Sequence, residues 1–365
     1  MGKDPVCGME VDENRTEYTT LFQGKKYYFC SDHCREAFDR DPQAYLEKNQ
    51  EPVRQERKVV IIGTGSVGAT FAYALMRSGL ASTIVLVGRS PDKVRAQVMD
   101  LNHGLMFVPP VHILEGTYED CRGADLVVVT AGVAQKEGET RIDLARRNTD
   151  LFRDIIPRIA RRDPGNILIV TNPVDVLTYA AIKISGMPMN RIIGSGTVLD
   201  TARFRFLLSR HCGVDPRNVH GYILGEHGDT EVPAWSKVDV GGMSIQKFCP
   251  ACGIECPADE MQNIFEQVRN AAYEIIRGKG STNFAIGLAM VRIAEAILRN
   301  ENSILTISAL VDGLYGIRDV CLSMPAVLNR NGVTKIIELE LEKDEETKLK
   351  ASADVLKKVI KDVGL

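Results

Sequence analysis

The fold is decided by Val59-Val60-Ile61-Ile62-Gly63-Thr64-Gly65-Ser66-Val67-Gly68, a short stretch within a chain of 365 residues. Its four β-branched residues predict a buried strand, and the residues from Ala69 to Ser78 predict a helix directly after the glycines. Glycines at this spacing leave bare backbone, so a pyrophosphate can approach the amino end of the helix. Gly63, Gly65 and Gly68 therefore predict a dinucleotide site, while a simple tight turn is the alternative.

Similar apolar runs recur outward from this stretch and alternate with amphipathic segments. The runs that predict parallel strands are 59–62, 83–87, 126–129 and 167–170. This alternation predicts an α/β fold with a doubly wound parallel sheet of the Rossmann type over residues 58–193. Residues 194–365 predict an α+β substrate domain, with helical segments at 198–211, 258–300 and 342–363 and antiparallel strands between 303 and 336.

Composition limits the classes of partner. The chain is 44% hydrophobic and 25% charged, its net charge is -3 and its pI is about 6.1. No basic field is available to attract nucleic acid or an anionic membrane, so neither partner is expected. The sequence has no apolar run of membrane-spanning length and no signal-peptide pattern, and we expect a cytoplasmic protein.

Residues 1–50 form a separate module in composition, and residues 51–57 are polar and predict a linker. The module contains three of the nine cysteines, Cys7, Cys30 and Cys34. Three thiolates at this spacing can surround one soft metal ion, and so short a module has little core without such a ligand. A small aromatic core with reduced thiols is the alternative.

The second predicted strand ends differently from most NAD-binding strands. An acidic residue is expected there, about 20 positions after the glycines, to bind the adenosine ribose. Here Gly88 and Arg89 follow Val87. The change predicts tolerance of NADP or preference for it, because a guanidinium can bind a 2′-phosphate. A solvated Arg89 beside bound NAD is equally compatible with the sequence.

His227 is the strongest candidate for acid and base chemistry. It lies in Gly225-Glu226-His227-Gly228-Asp229 after an apolar run, and it is one of six histidines in the chain. An imidazole titrates near neutral pH and can donate or accept a proton there. An ordinary loop histidine is the alternative, so the prediction depends on partners elsewhere.

Four motifs supply those partners and resemble the L-lactate dehydrogenases in order and spacing over about residues 57–365. They are 131–141 (AGVAQKEGETR), 171–175 (TNPVD), 196–203 (GTVLDTAR) and 225–229 (GEHGD). The resemblance implies a nicotinamide-dependent oxidoreductase and a homotetramer. It also implies the substrates pyruvate and L-lactate, and hence a place in glycolysis and pyruvate fermentation.

By this resemblance, His227 is the acid and base and Asp200 orients it. Arg203 would bind the substrate carboxylate in two-pronged fashion, and Arg141 would polarise the carbonyl under a mobile lid. Asp200 as an acid near a helix amino end and Arg141 as a solvated side chain are the alternatives. The further residues implied are Asn172 at the substrate oxygen and near the nicotinamide, and Val67 and Tyr118 along the dinucleotide, although apolar packing also accounts for the last two.

Gln135 and Thr282 bear on substrate choice. Malate dehydrogenases have an arginine at the position that Gln135 resembles, and a neutral amide there favours a methyl group over a second carboxylate. Thr282 resembles the residue that closes the other wall of a small pocket. Another L-2-hydroxy acid dehydrogenase or a malate dehydrogenase is the alternative within enzymes.

Arg205 and His220 resemble the pair that binds fructose 1,6-bisphosphate in activated bacterial lactate dehydrogenases. Two cations repeated about a two-fold axis repel each other until an anion binds, so the pair predicts allosteric activation. Side chains that only face solvent are the alternative.

The amino-terminal module resembles the YHS metal-binding family over residues 4–46, through Cys7 and the segment Cys30-Ser31-Asp32-His33-Cys34. Zinc or copper(I) is the expected ion, with the fourth ligand open. Cys249, Cys252 and Cys256 form another cluster, which predicts a surface loop with free cysteines more readily than a metal site. A metal sensor or carrier built on a dehydrogenase scaffold is the alternative function from another class.

Overall fold

A computed structural model describes residues 2–13, 15–42, 45, 56–133 and 140–365. It contains two compact units, residues 1–56 and 57–365. Residues 51–55 of the predicted linker lie outside the described residues. None of the described helices combines the length and the apolar character needed to cross a membrane.

The first unit is a small α+β module around an aromatic core. Its elements are β1 (Gly2–Lys3), β2 (Glu10–Val11), the hairpin β3 (Thr19–Phe22) and β4 (Lys25–Tyr28), and α1 (Asp32–Arg40). Phe29 and Phe38 are fully buried, with ring centroids 5.2 Å apart. Ser31 caps α1 by accepting a hydrogen bond from the Cys34 amide, which fixes Cys34 in the first turn.

The second unit is built on one mixed nine-stranded sheet. Its parallel strands are β5 (Lys58–Ile62), β6 (Thr83–Val87), β7 (His112–Glu115), β8 (Leu126–Val129), β9 (Asn166–Ile169) and β10 (Ile192–Gly194). Its antiparallel strands are β16 (Ser303–Val311), β17 (Val320–Asn329) and β18 (Gly332–Ile336). The order is β18-β17-β16-β10-β9-β8-β5-β6-β7, so the chain reverses direction across the sheet between β5 and β8, the kind of switch point where ligands bind.

Helices cover both faces of this sheet. The helices described in the second unit are α2 (Ser66–Ser78), α3 (Pro91–His103), α4 (Arg141–Ala160), α5 (Val174–Ser185), α6 (Val198–Cys212), α7 (Ile245–Ala251), α8 (Ala258–Lys279), α9 (Phe284–Leu298) and α10 (Lys343–Asp362). One apolar cluster lies on each face of the parallel strands, and both are fully buried at their centres. The predicted α/β class is correct.

Short strands outside the main sheet complete the substrate half. They are β11 (Val219–His220), β12 (Ile223–Leu224), β13 (Val232–Pro233), β14 (Asp239–Val240) and β15 (Met243–Ser244). β12 pairs with β13, and β11, β14 and β15 form a three-stranded sheet. His227 therefore lies in the loop of a short hairpin between β12 and β13.

Several elements differ from the sequence predictions, and α7 and the strands β11–β15 were not predicted. The helix predicted over 258–300 is two helices, α8 and α9, because Gly280 ends α8 with a left-handed φ of 83°, a conformation that glycine adopts without strain. The parallel strands β7 and β10 were not predicted. β7 has one buried residue and β10 has three residues, too few for a clear hydrophobic period.

Candidate active site

The glycine turn between β5 and α2 has two packed positions and one open position. A Cβ on Gly68 would lie 2.0 Å from the Gly63 carbonyl oxygen, and a Cβ on Gly63 would lie 2.6 Å from the Ala131 amide nitrogen. A Cβ on Gly65 would meet nothing within 4 Å. Gly65 is also the residue before the first turn of α2, so the open space faces a helix amino end, as a pyrophosphate site requires.

The predicted wall of this site is partly apolar. Val67 is half-buried against the core on one face of the sheet, and Tyr118 packs against the core on the other. The Tyr118 ring also lies 5.4 Å from the Arg158 guanidinium carbon. Both side chains therefore have packing roles.

Position 88 follows β6 at the expected ribose site. Gly88 is tightly packed, since a Cβ there would lie 2.8 Å from a Val94 methyl and 3.0 Å from the Thr64 hydroxyl. Arg89 is exposed. The turn is therefore packed around a residue without a side chain, and the next residue along the chain carries a guanidinium.

A short polar contact joins His227 and Asp200 in the substrate half. His227 Nδ1 donates to Asp200 Oδ2 over 2.6 Å, and the Arg203 guanidinium donates to the other oxygen, Oδ1, over 2.8 Å. Asp200 lies in the first turn of α6 and is 2% exposed. Because Nδ1 is engaged, Nε2 is the imidazole nitrogen that can exchange a proton with a substrate.

Burial and charge set the proton affinity of this pair. Burial lowers the pKa of His227, but the charge and hydrogen bond of Asp200 overcome that effect and raise the pKa to about 9. Burial raises the pKa of Asp200, and His227 and Arg203 reverse this to a net lowering. At neutral pH the imidazole is therefore protonated and the carboxylate charged, which is the state that can donate a proton.

Two buried acids next to His227 were missed by the sequence reasoning. Asp175 Oδ2 accepts a hydrogen bond from the His227 amide over 2.8 Å, and burial raises its pKa to about 6. Burial and the charge of Asp200 raise the pKa of Glu231 to about 9. Asp175 ends the motif TNPVD and Glu231 follows GEHGD, but only the fold brings each carboxyl beside the imidazole.

Arg203 and Thr282 line one cavity of about 500 Å³. Thr282 lies between α8 and α9, and Phe206, Ile275 and Asn283 also line the cavity. The structure therefore brings the predicted carboxylate anchor and the predicted pocket wall together, although they are distant in sequence.

The remaining substrate residues are described unequally. Asn172 is exposed just after β9, and its carbonyl oxygen accepts a hydrogen bond from the Asn148 side chain over 2.9 Å. Arg141 begins α4, and Thr140 before it caps the helix with a hydroxyl that accepts a hydrogen bond from the Asp143 amide. The side chain of Arg141 is not among the described side chains. Gln135 lies outside the described residues altogether.

Arg205 and His220 lie near a shared acid. His220 is exposed on β11 and is opposite Asp239 of β14 in the strand register. Arg205 is half-buried on α6, and burial lowers its pKa while the charges of Tyr222 and Asp239 act in the opposite direction. Both side chains therefore have Asp239 nearby.

The module cysteines meet around one acid. Asp4, Cys7, Cys30 and Cys34 form a group of ligand atoms that all lie within 4.8 Å of one another. Cys7 Sγ is 3.5 Å from Cys30 Sγ, which is 3.8 Å from Cys34 Sγ. Asp4 is buried and accepts hydrogen bonds from the amides of Val6, Cys7 and Cys30. His33 is exposed and is not part of this group.

The prediction of a surface loop with free cysteines at 249–256 is wrong for two of the three. Cys249 is fully buried on α7 and is joined to Cys256 as a disulfide, because the turn after α7 folds back against the end of α6. Cys252 is free and exposed. His211 at the end of α6, whose ring nitrogen lies 3.0 Å from Cys256 Sγ, was missed because it is 45 positions away in sequence.

Comparisons with known proteins match the whole arrangement. Residues 57–194 match the NAD binding domain of lactate/malate dehydrogenases, residues 197–364 match the alpha/beta C-terminal domain of the same family, and residues 2–49 match the YHS domain.

Individual relatives cover the second unit nearly end to end. An L-lactate dehydrogenase of Acetivibrio thermocellus is 53% identical over 311 residues, which are 85% of this chain and 98% of the relative. One of Bacillus caldolyticus is 52% identical over 305 residues, or 83% and 96% of the two chains.

Solved structures agree. The minor L-lactate dehydrogenase of Enterococcus mundtii aligns with a TM-score of 0.82 at 41% identity, and a lactate dehydrogenase from a deep-sea metagenome aligns with 0.83 at 46%. Each alignment covers 85% of this chain and 99% of the other. The chain therefore belongs to the lactate/malate dehydrogenase family and has a YHS domain at its amino end.

Proposed function

We propose that this protein is an L-lactate dehydrogenase that interconverts pyruvate and L-lactate with a nicotinamide coenzyme. The observation that carries the proposal is the His227–Asp200 contact of 2.6 Å, with Arg203 on the same carboxylate. A protonated imidazole and a guanidinium next to one buried acid are the groups needed to reduce a 2-oxo acid. The names of the relatives point to the same reaction.

Each residue has a distinct role in this proposal. Arg203 binds the substrate carboxylate, and His227 Nε2 donates a proton to the carbonyl oxygen as the carbonyl becomes an alcohol. Bound NADH supplies the hydride for the carbonyl carbon, and NAD accepts it in the reverse direction. Asp200 holds the imidazole in position and stabilises its charge, as the second carboxylate does in other acid–base pairs.

Arg141 and Asn172 act on the same substrate oxygen. Arg141 polarises the carbonyl when the segment before α4 covers the site, and the Asn172 amide donates to the oxygen. Gln135 and Thr282 limit the pocket to a small uncharged group on the substrate, since a neutral amide offers no partner to a second carboxylate.

Replacement of His227 by asparagine tests the proposal. The expected result is a loss of pyruvate reduction of about 10²–10⁴-fold or more, because the proton donor is gone, while NADH binding measured by fluorescence titration is retained. Asparagine keeps a polar side chain at this position but has no group that can donate a proton to the substrate. Unchanged turnover in this variant would refute the catalytic role of His227.

The coenzyme is proposed to be NAD, with NADP also accepted through Arg89. The open space at Gly65 fits a pyrophosphate, and the family match of residues 57–194 is to an NAD binding domain. Titration of NADH against NADPH in the wild-type protein and in Arg89→Ala decides the second part. Arg89→Ala should weaken the binding of NADPH and leave the binding of NADH unchanged. Equal effects on the two coenzymes would show that Arg89 does not select between them.

Regulation and assembly are proposed on separate grounds. Arg205 and His220 would bind fructose 1,6-bisphosphate. Exposed apolar side chains on α2, α8 and α9, among them Tyr73, Ile276 and Leu288, would be covered in a homotetramer. Addition of the bisphosphate should lower the KM for pyruvate in wild type but not in His220→Ala, and light scattering should give the mass of four chains.

The amino-terminal module is proposed to bind zinc or another soft metal through Cys7, Cys30 and Cys34. The three sulfurs lie close together. Thiolates are the ligands that zinc and other soft metal ions prefer. Seven of the nine cysteines are free, which also favours a reducing, cytoplasmic location. Loss of bound metal in Cys30→Ser, with none lost in the buried Cys121→Ser control, is the expected result.

A further inference from the structure

A group of potential metal ligands outside the dehydrogenase motifs lies at the carboxyl end of α6. Its members are His211, Cys249 and Cys256, and Cys252 lies on the turn between the two cysteines. Among the described residues, His211, Cys249 and Cys256 form the second group whose ligand atoms all lie within 4.8 Å of one another. A tetrahedral zinc ion with bonds of about 2.3 Å places its ligand atoms about 3.8 Å apart, a spacing within the 4.8 Å limit of this group.

Cys252 lies on a tight turn three residues after Cys249. The amides of Cys252 and Ile254 donate to the Cys249 carbonyl oxygen over 3.1 and 2.8 Å, and Gly253 takes a left-handed φ of 69°. Two cysteines separated by two residues on such a turn are the local spacing at which one metal ion receives two thiolates. Cys252 is also exposed, so its side chain is able to reorient.

A disulfide between Cys249 and Cys256 does not account for the rest of the cluster. It gives no role to the third thiol or to the imidazole, whose Nε2 lies 3.0 Å from Cys256 Sγ. The close sulfurs of the amino-terminal module, Cys7, Cys30 and Cys34, are free. Three cysteines and one histidine are a complete ligand set of the kind found in structural zinc sites.

We propose that His211, Cys249, Cys252 and Cys256 bind one zinc ion when the Cys249–Cys256 bond is reduced. A dithiol supplies the two electrons: the bond between the two sulfurs breaks, two thiols form, and the dithiol becomes its own disulfide. The thiols release their protons when the ion binds. The bound ion ties the turn after α7 to the end of α6, the helix whose first turn carries Asp200.

The test counts zinc per full-length chain in protein equilibrated with zinc and a dithiol, then freed of unbound metal. Cys252→Ser and His211→Ala should each lower the count by one relative to wild type. Cys212→Ser is the matched control, since Cys212 is a free cysteine next to His211 that lies outside the group, and it should leave the count unchanged. The difference is independent of whether the amino-terminal module holds its own ion.

Full zinc retention in Cys252→Ser would overturn the proposal and leave a disulfide alone, and loss in Cys212→Ser would overturn this ligand set. A second measurement avoids substitution of the four ligands. In a full-length chain with serine at positions 7, 30 and 34, cobalt(II) should give a thiolate charge-transfer band that disappears when Cys249 and Cys256 are oxidised to the disulfide. Absence of the band in the reduced chain would equally overturn the proposal.

Discussion

A single carboxylate organises the charged groups of the candidate active site. Asp200 accepts from His227 with one oxygen and from Arg203 with the other, and it is almost fully buried. A buried charge is costly unless it is paired, so the two cations and the acid depend on one another. This dependence makes the proton affinity of His227 the most sensitive readout of the site.

Asp200→Asn should change the pH profile of pyruvate reduction. In wild type, kcat/KM should fall only as pH rises through about 9, the pKa of His227, because the protonated form donates the proton. The variant lacks the charge that overcomes burial, so the fall should move to lower pH, and the rate at neutral pH should drop by about 10²–10⁴-fold. Steady-state rates from pH 5 to 10 measure both effects.

The control for this profile is Asp215→Asn, which removes a surface acid paired with Arg217 and should leave the profile unchanged.

The His227–Asp200 pair also links folding to pH. The pKa of His227 rises from 6.5 to about 9 on folding, so its contribution to stability is fully present below pH 6.5 and is lost as pH rises through 9. In the kcat/KM profile, an alkaline fall at the same pH in Asp200→Asn as in wild type would contradict the proposed role of Asp200.

Sequence reasoning reached some site residues more easily than others. His227, Asp200 and Arg203 are predictable because each lies within a recognisable motif, and the fold then brings them into contact. Asp175, Glu231 and Asp4 were missed as functional neighbours because their importance comes from long-range proximity and burial. His211 was missed for the same reason, since no local pattern links it to Cys256.

At the scale of elements, the β5–α2 turn separates two reasons for a glycine. Gly68 is required by packing, since its Cβ would lie 2.0 Å from a carbonyl oxygen. Gly65 has an ordinary extended backbone with φ of -74° and open space around its Cβ position. Packing therefore leaves Gly65 free to vary, and only an approaching ligand requires it to be a glycine.

Paired substitutions test this distinction. Gly65→Ala should leave the melting temperature unchanged but raise the KM for NADH about tenfold, equivalent to about 1.4 kcal/mol of lost binding. Gly68→Ala should lower stability by about 1–3 kcal/mol, the usual effect of overpacking. Thermal denaturation and steady-state kinetics on both variants provide the comparison. A Gly65→Ala variant with normal KM would show that the coenzyme does not approach this backbone.

The predicted bounds of helices and strands were most accurate where the local pattern of apolar residues was strongest. The strands at 83–87 and 126–129 were predicted at their observed bounds because every position but Thr83 is buried and apolar. The long helix predicted over 258–300 was wrong because that prediction places Gly280 within one helix, although residues 277–283 (RGKGSTN) contain no apolar residue. A glycine in a helical pattern ends the helix or is tolerated within it, and the sequence does not distinguish the two.

At the scale of the whole molecule, the chain joins a complete dehydrogenase to an additional module. The relatives are matched over 96–98% of their length by 305–311 residues of this chain, about the length of the second unit. The first unit has its own core of Phe29, Cys34 and Phe38. A metal sensor or carrier function alone would not need the intact set of His227, Asp200 and Arg203.

Removal of residues 1–56 should therefore leave kcat and the KM for pyruvate within about twofold of wild type, because the remaining unit corresponds to a whole enzyme. It should remove the metal held by Cys7, Cys30 and Cys34. Full-length protein with serine at those positions is the control that separates loss of metal from loss of the module. Loss of most activity on truncation, with the serine variant active, would assign the module a structural role in catalysis.

We expect the site around His227 to accept a monocarboxylate, and the ratio of kcat/KM for pyruvate and oxaloacetate with NADH at neutral pH measures this in the wild-type protein. Pyruvate should be preferred by about 100-fold or more, since a second carboxylate would be buried without a partner. Gln135→Arg should shift the preference towards oxaloacetate. Oxaloacetate turnover equal to or better than that of pyruvate in the wild-type protein would contradict the assignment as an L-lactate dehydrogenase.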